Sequence, residues 1–161
     1  MTSEERREID LYWMNKAYEL AISAAAQNEV PVGAILVDAN NQCIGKGANQ
    51  PISAHDPSAH AEIIALRDAA SSLENYRLPE TSLYVTLEPC PMCAGAIVHA
   101  RVRRVVFAAA DPRTGSAGSV YDLLNSPHLN HRVDVDAGVM QHECSSLLRT
   151  FFLQRREKNE K

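Results

Sequence analysis

Segments typical of helices alternate with segments typical of strands along this chain of 161 residues, and that alternation constrains the fold most strongly. Runs of β-branched and apolar residues such as "SLYVTL" (82–87) predict buried strands, whereas apolar residues at helical spacing predict helices. The predicted helices cover 1–27, 59–73, 91–100, 121–126 and 140–158. The predicted strands cover 30–38, 43–49, 82–87 and 103–110, and 131–139 is predicted to be a last strand or a loop. A hairpin followed by this alternation predicts a mixed five-stranded sheet with helices on both faces, a three-layer α/β/α sandwich.

Length and composition predict one globular domain over residues 1–161, with 45% hydrophobic and 22% charged residues. No apolar run approaches the roughly 20 residues needed to span a bilayer. The first ten residues alternate acidic and basic side chains, unlike a signal peptide, so a cytoplasmic location without membrane contact is expected. The formal net charge of -4 weakly disfavours a protein that coats nucleic acid without specificity.

The stretch "PCPMC" (89–93) places Cys90 and Cys93 where a strand ends and a helix begins. Two cysteines three residues apart lie on one face of a helix, and the helix N-terminus favours their thiolate forms. Three interpretations compete: a zinc pair, a redox pair, and two buried apolar cysteines. Structural zinc calls for four protein ligands, and the sequence offers no second cysteine pair of this kind.

His60 opens another predicted helix, and with Cys90 and Cys93 it would make three ligands. Three protein ligands leave the fourth position of a tetrahedral zinc ion open for water, as a catalytic metal requires. Glu62 lies two residues after His60, where a carboxylate could take a proton from that water. Taken alone, Glu62 is better explained as a first-turn glutamate that stabilises the helix dipole.

The combination H-x-E (60–62) with P-C-x-x-C (89–93) is typical of zinc-dependent nucleobase deaminases. The chain resembles bacterial tRNA-specific adenosine deaminases of the TadA family over nearly its whole length. The resemblance is carried by "EVPVGAILVD" (29–38), "GKGANQPI" (45–52), "HDPSAHAEIIALR" (55–67), "LYVTLEPCPMCAGAIVHAR" (83–101), "RVVFAAADPRTGSAGS" (104–119), "HLNHRVDV" (128–135) and "FFLQRRE" (151–157).

That resemblance implies a cytidine-deaminase-like sandwich that converts adenosine to inosine at the wobble position of a tRNA anticodon. One zinc ion per chain would be held by His60, Cys90 and Cys93. Hydroxide would attack C6 of the flipped-out adenine, Glu62 would shuttle protons, and ammonia would leave.

The same resemblance implies a homodimer, and a set of side chains or backbone groups that contact the RNA. The implied substrate-binding residues are Asn49, Ala61, Asp111, Phe152 and Arg155. Core packing is the competing explanation for Phe151 or Phe152. Two other functions remain open on the sequence: a deaminase of free guanine, cytosine or cytidine, and a noncatalytic zinc-stabilised subunit.

Overall fold

The computed structural model describes residues 1–159, which form four helices and five strands. The helices are α1 (Ser3–Ala26), α2 (Ala61–Leu73), α3 (Pro91–His99) and α4 (Gln141–Asn159), and the strands are β1 (Gly33–Val37), β2 (Cys43–Ala48), β3 (Ser82–Leu87), β4 (Arg104–Ala109) and β5 (Asp134–Ala137). No helix among the described residues is both long and apolar enough to cross a membrane.

The five strands form one mixed sheet in the order β2-β1-β3-β4-β5. Strand β1 is antiparallel to both of its neighbours, whereas β3, β4 and β5 run parallel to one another. Strands β2, β3 and β4 therefore all end at the same side of the sheet. We call this side the carboxyl edge, defined by residues 49, 88–90 and 110–119, and the opposite side the amino edge.

Two apolar clusters lie on the two faces of the sheet and make the three predicted layers. One cluster joins the sheet to α2 and α3, through residues such as Leu36, Val85 and Ile97. The other joins it to α1 and α4, through residues such as Met14, Ile35 and Cys144. Because side chains alternate between the faces of a strand, neighbours such as Ile35 and Leu36 belong to different clusters. The predicted sandwich is confirmed.

Helix α2 packs closely on β2 because both surfaces carry small residues. A Cβ atom at Gly47 would overlap the carbonyl oxygen of Ala61, and one at Gly45 would overlap that of Ala65. The backbones of strand and helix are therefore in direct contact along this seam. The contact fixes where α2 begins, and with it the residues at its N-terminus.

The predicted helix at 121–126 is wrong. The backbone of this segment instead forms hydrogen bonds with other parts of the chain. The amide of Leu123 donates to the carbonyl of Ser116, and the carbonyl of Leu124 accepts from the amide of Val133. Leu124 is fully buried in this arrangement. Six residues are too few to nucleate a stable helix, so tertiary hydrogen bonds and burial of one leucine decide the local structure.

Candidate active site

The three predicted metal ligands lie together at the carboxyl edge. His60 immediately precedes α2, and Cys90 and Cys93 stand at the start of α3 after β3. The Nδ1 atom of His60 is 3.5 Å from the Sγ of Cys90 and 3.5 Å from the Sγ of Cys93. All three donor atoms lie within 4.8 Å of one another. His60 thus forms one compact donor set with two cysteines that lie 30 and 33 positions away in sequence.

This donor set fits a zinc ion. Zinc–sulfur bonds of about 2.3 Å and a zinc–nitrogen bond of about 2.0 Å place nitrogen and sulfur ligands about 3.5 Å apart in a tetrahedron. The observed separations of His60 Nδ1 from both sulfurs are 3.5 Å. Two thiols and an imidazole are the ligands that zinc favours, and three of them leave the fourth tetrahedral position for water or substrate.

A hydrogen bond between the side chains of Cys90 and Cys93 shifts the pKa values of the two thiols in opposite directions. The hydrogen bond from Cys93, together with that from His60, lowers the pKa of Cys90 to about 4 although burial opposes the shift. The same bond, reinforced by burial, raises the pKa of Cys93 far above its usual range. The Cys90 thiolate also raises the pKa of His60. The lowered pKa favours the thiolate of Cys90, the form of cysteine that binds metal.

His60 and Cys90 both occupy the N-cap position of a helix, yet neither side chain caps its helix. Their side chains point at each other instead, so the first amides of each helix need other partners. For α2 the partner is Asn49 at the end of β2, whose Oδ1 accepts from the amide of Ala61 at 2.8 Å. Asn49 therefore replaces the cap that His60 cannot provide.

Glu62 lies in the first turn of α2 and is 4% exposed. Burial raises the pKa of its carboxyl to about 7, because the charged form loses hydration. The thiolate of Cys90 adds to this increase, and His60 opposes it. A carboxyl that can hold or release a proton near neutral pH has the property a proton shuttle needs.

Two buried glutamates at the carboxyl edge were not singled out from the sequence. Glu88, 2% exposed, directly precedes Pro89 and Cys90 and accepts hydrogen bonds from the 111–119 loop. Glu29, 1% exposed, accepts from the amides of Ile52 at 3.1 Å and Ser53 at 2.8 Å, in the loop that leads to His60. In the sequence, each of them is visible only as a single glutamate next to an apolar strand.

Asp111, predicted to bind substrate, turns its carboxylate into its own loop. Its Oδ1 accepts from the amide of Arg113 at 2.9 Å, and its Oδ2 accepts from the Thr114 hydroxyl at 3.2 Å. These bonds shape the loop that borders Cys90 and Cys93, since the amide of Ser116 donates to the carbonyl of Pro89 at 2.8 Å. A substrate contact by Asp111 itself stays a prediction.

Phe152 and Arg155 lie in the C-terminal half of α4. Phe152 is 44% exposed, whereas Phe151 is half-buried and lines a cavity of about 420 Å³ together with Ile52 and Arg155. The Arg155 guanidinium lies over the Phe151 ring, 5.5 Å from its centroid. Of the two phenylalanines, Phe151 is the one that packs against the protein.

Comparison with known proteins decides the family. The family described as the cytidine and deoxycytidylate deaminase zinc-binding region matches residues 7–109. The chain is 52% identical over 152 residues to the tRNA-specific adenosine deaminase of Haemophilus influenzae, covering 94% of this chain and 88% of that protein. The chain belongs to the tRNA-specific adenosine deaminase family. A relative of the same name from Bacillus subtilis is 42% identical, with 92% of each chain covered.

Solved structures place this tRNA-specific adenosine deaminase family member among other deaminases. A tRNA:A34 deaminase studied for A-to-I editing is 40% identical with a TM-score of 0.82, covering 85% of this chain and 99% of that one. The guanine deaminase of Nitrosomonas europaea is 26% identical with a TM-score of 0.73, covering 88% and 83%. The predicted cytidine-deaminase-like fold is confirmed.

Proposed function

We propose that this protein deaminates adenosine to inosine by hydrolysis at the wobble position of a tRNA anticodon. The observation that carries the proposal is the donor set of His60, Cys90 and Cys93, which would leave one ligand position of a tetrahedral zinc ion open. The buried carboxyl of Glu62 lies two residues after the histidine in sequence. A relative at 52% identity carries the name of this activity. One zinc ion per chain would be held by the three ligands.

Zinc, when bound, supplies Lewis acidity that lowers the pKa of water toward neutrality. Glu62 accepts a proton from the attacking water as its oxygen adds to C6, and donates that proton to N1 of adenine. Glu62 then takes the proton of the new hydroxyl group and delivers it to the amine. Ammonia departs, the C6 carbonyl forms, and the net change is the replacement of the amine by oxygen.

The substrate adenine must leave its stack to reach residues as buried as Glu62 and Cys93, and the single-stranded anticodon loop makes that inexpensive. The Asn49 side chain uses its oxygen on Ala61, so its amide nitrogen remains available to donate to the base or ribose. Exposed Phe152 and Arg155 have the stacking and charge properties that hold flanking nucleotides. Asp111 and the backbone at Ala61 complete the proposed substrate contacts.

Three further features belong to the same proposal. Residues 1–161 act as a single zinc-dependent deaminase domain, the working form is a homodimer, and the location is cytoplasmic, where tRNA is processed. The likeness to tRNA-specific deaminases supports the location. Light scattering at micromolar concentration tests the homodimer, and a monomeric mass would contradict it.

The decisive experiment compares substrates. The purified protein is incubated with an anticodon stem-loop containing adenosine 34, and in parallel with free guanine, cytosine and cytidine. We expect inosine in the RNA and no ammonia from the free compounds. Release of ammonia from a free base, with no inosine in the stem-loop, would instead indicate a deaminase of free bases, as the similar guanine deaminase of Nitrosomonas europaea is.

A further inference from the structure

Glu88 is a buried carboxylate for which the proposed chemistry has no use. It is 2% exposed and stands two residues before the zinc ligand Cys90, at the point where β3 ends. A buried carboxylate is costly unless several hydrogen bonds satisfy it, so its partners show what it does. Within residues 1–159, the hydrogen-bond partners of its side chain all come from the 111–119 loop.

Both carboxylate oxygens of Glu88 are fully engaged by that loop. Oε1 accepts from the amide of Asp111 at 3.0 Å and from the hydroxyl of Ser119. Oε2 accepts from the amides of Ala117 at 2.9 Å and Ser119 at 3.1 Å. Four donors fill the acceptor positions of one carboxylate, so Glu88 has none left for a substrate or a proton transfer.

The loop is also built to fit this carboxylate closely. A Cβ atom at Gly115 would overlap the carboxylate of Glu88, so only glycine lets the loop backbone approach so near. The amide of Ser116 donates to the carbonyl of Pro89, and the amide of Glu88 donates to Ala109 at the end of β4. The segment that carries Cys90 is thus clamped between β4 and the loop.

We propose that Glu88 is a positioning residue: its carboxylate is the template on which the 111–119 loop folds beside the metal ligands, so that the loop can hold the nucleotides flanking the target base. The part about nucleotides rests on the proposed function. Glutamine cannot replace glutamate here, because its amide NH₂ would face N–H donors and leave them unpaired.

The test compares Glu88→Gln with wild-type protein by hydrogen exchange and by kinetics on the anticodon stem-loop. The amides of Ala117 and Ser119 should exchange at least about tenfold faster, since charge-assisted hydrogen bonds are lost. The KM for the stem-loop should rise about tenfold or more while kcat changes less and zinc content stays at the wild-type level. A merely structural role would reduce the active fraction and leave its KM unchanged.

Glu29→Gln is the matched control, because Glu29 is an equally buried carboxylate that holds amides of a different loop. It should speed hydrogen exchange at the amides of residues 52 and 53 and leave exchange at 117 and 119 unaffected.

If Glu88→Gln does not fold, Ser119→Ala decides by the same measurements, with smaller changes in the same direction. Unchanged exchange at 117 and unchanged KM in the folded variant overturn the proposal. If wild-type protein edits no RNA, the proposed function fails, while the exchange data still decide whether Glu88 holds the loop.

Discussion

The two edges of the sheet each bury a cluster of ionisable side chains, but they differ in how those groups are satisfied. At the amino edge, Arg104 donates to both oxygens of Asp10 at 2.8 and 2.7 Å and to Asp136 at 2.8 Å. The hydroxyl of Tyr84 adds a bond to Asp10 at 2.8 Å. At the carboxyl edge, the Nδ1 of His60 lies 3.5 Å from the sulfurs of both Cys90 and Cys93, which form the donor set described above. The hydrogen-bonded network at the amino edge stabilises the fold, whereas the donor set at the carboxyl edge is suited to bind a metal ion.

The pKa shifts at the two edges show the same contrast. At the amino edge burial would favour neutral forms, yet hydrogen bonds and charge hold the pKa of Asp10 below its ordinary value and that of Arg104 above it. Both groups therefore stay charged over the physiological range. At the carboxyl edge burial raises the pKa of Glu62 to about 7. A carboxyl whose pKa is shifted close to neutral pH can exchange a proton, which is typical of catalytic sites. Shifts of pKa that keep both partners of an ion pair charged are typical of structural pairs.

The largest expected effect belongs to the carboxyl edge. Glu62→Gln removes the proton acceptor while keeping the shape of the side chain, so turnover should fall by about 10²–10⁴-fold. Zinc content and thermal stability should stay at the wild-type level, because Glu62 is not among the proposed ligands. Stopped assays on the stem-loop and metal analysis measure the two effects. Turnover close to wild type would remove Glu62 from the mechanism.

The amino edge should show the reverse pattern. Arg104→Met leaves the buried Asp10 carboxylate without its cation, which should cost about 3–5 kcal/mol of unfolding free energy. The zinc content and kcat of the folded fraction should not change. Arg103→Met is the matched control: its pair with Glu80 spans 2.8 Å between side chains that are 66% and 65% exposed, so it should cost at most about 1 kcal/mol. Equal losses in the two variants, measured by urea denaturation, would contradict the comparison.

Acid should weaken the amino edge through Asp10. Its pKa is lower in the folded than in the unfolded protein, so its stabilisation is fully present above the unfolded value of about 3.9 and disappears as pH falls through the folded value. The stability difference between wild type and Asp10→Asn should therefore be larger at neutral pH than in strong acid. Thermal unfolding at a series of pH values measures it, and a difference independent of pH would argue that Asp10 is neutral in the fold.

The smallest expected effect separates two roles of Asn49 at the carboxyl edge. Asn49→Ala removes the acceptor for the Ala61 amide and should cost about 0.5–2 kcal/mol, as the loss of a helix cap does. Asn49→Asp keeps that acceptor and should retain stability. Both variants lose the amide donor, so both should raise KM for the stem-loop if Asn49 contacts the substrate. Normal kinetics in Asn49→Asp would restrict Asn49 to capping α2.

The element order outside 121–126 and the grouping of His60 with Cys90 and Cys93 could be predicted because each rests on local patterns. β-Branched runs mark β3 and β4, and a cysteine pair at a strand-to-helix junction is visible in "PCPMC". Strands β2 and β3 are both antiparallel to β1, so they end at the same edge, and the meeting of Cys90 with His60 follows from this topology.

Glu29 and Glu88 could not be predicted in the same way. Their partners lie 23–31 residues away in loops without periodicity, and the hydrogen bonds involve mainly backbone amides, which every sequence has. The wrong helix at 121–126 has a related cause, since contacts with residues 116 and 133 override a weak local preference. The amino-edge pair of Asp10 and Arg104 spans 94 positions and carries no spacing signal.

The seam between β2 and α2 has a consequence for how substitutions will be tolerated. Because Gly45 and Gly47 let two backbones touch, the distance from the sheet to His60 and Glu62 does not depend on the rotamer of any packed side chain. A single methyl group at Gly47 would push the start of α2 outward, and a displacement of about 1 Å can cost 10²-fold in rate. Two positions that have no side chain are therefore among the most sensitive in the protein.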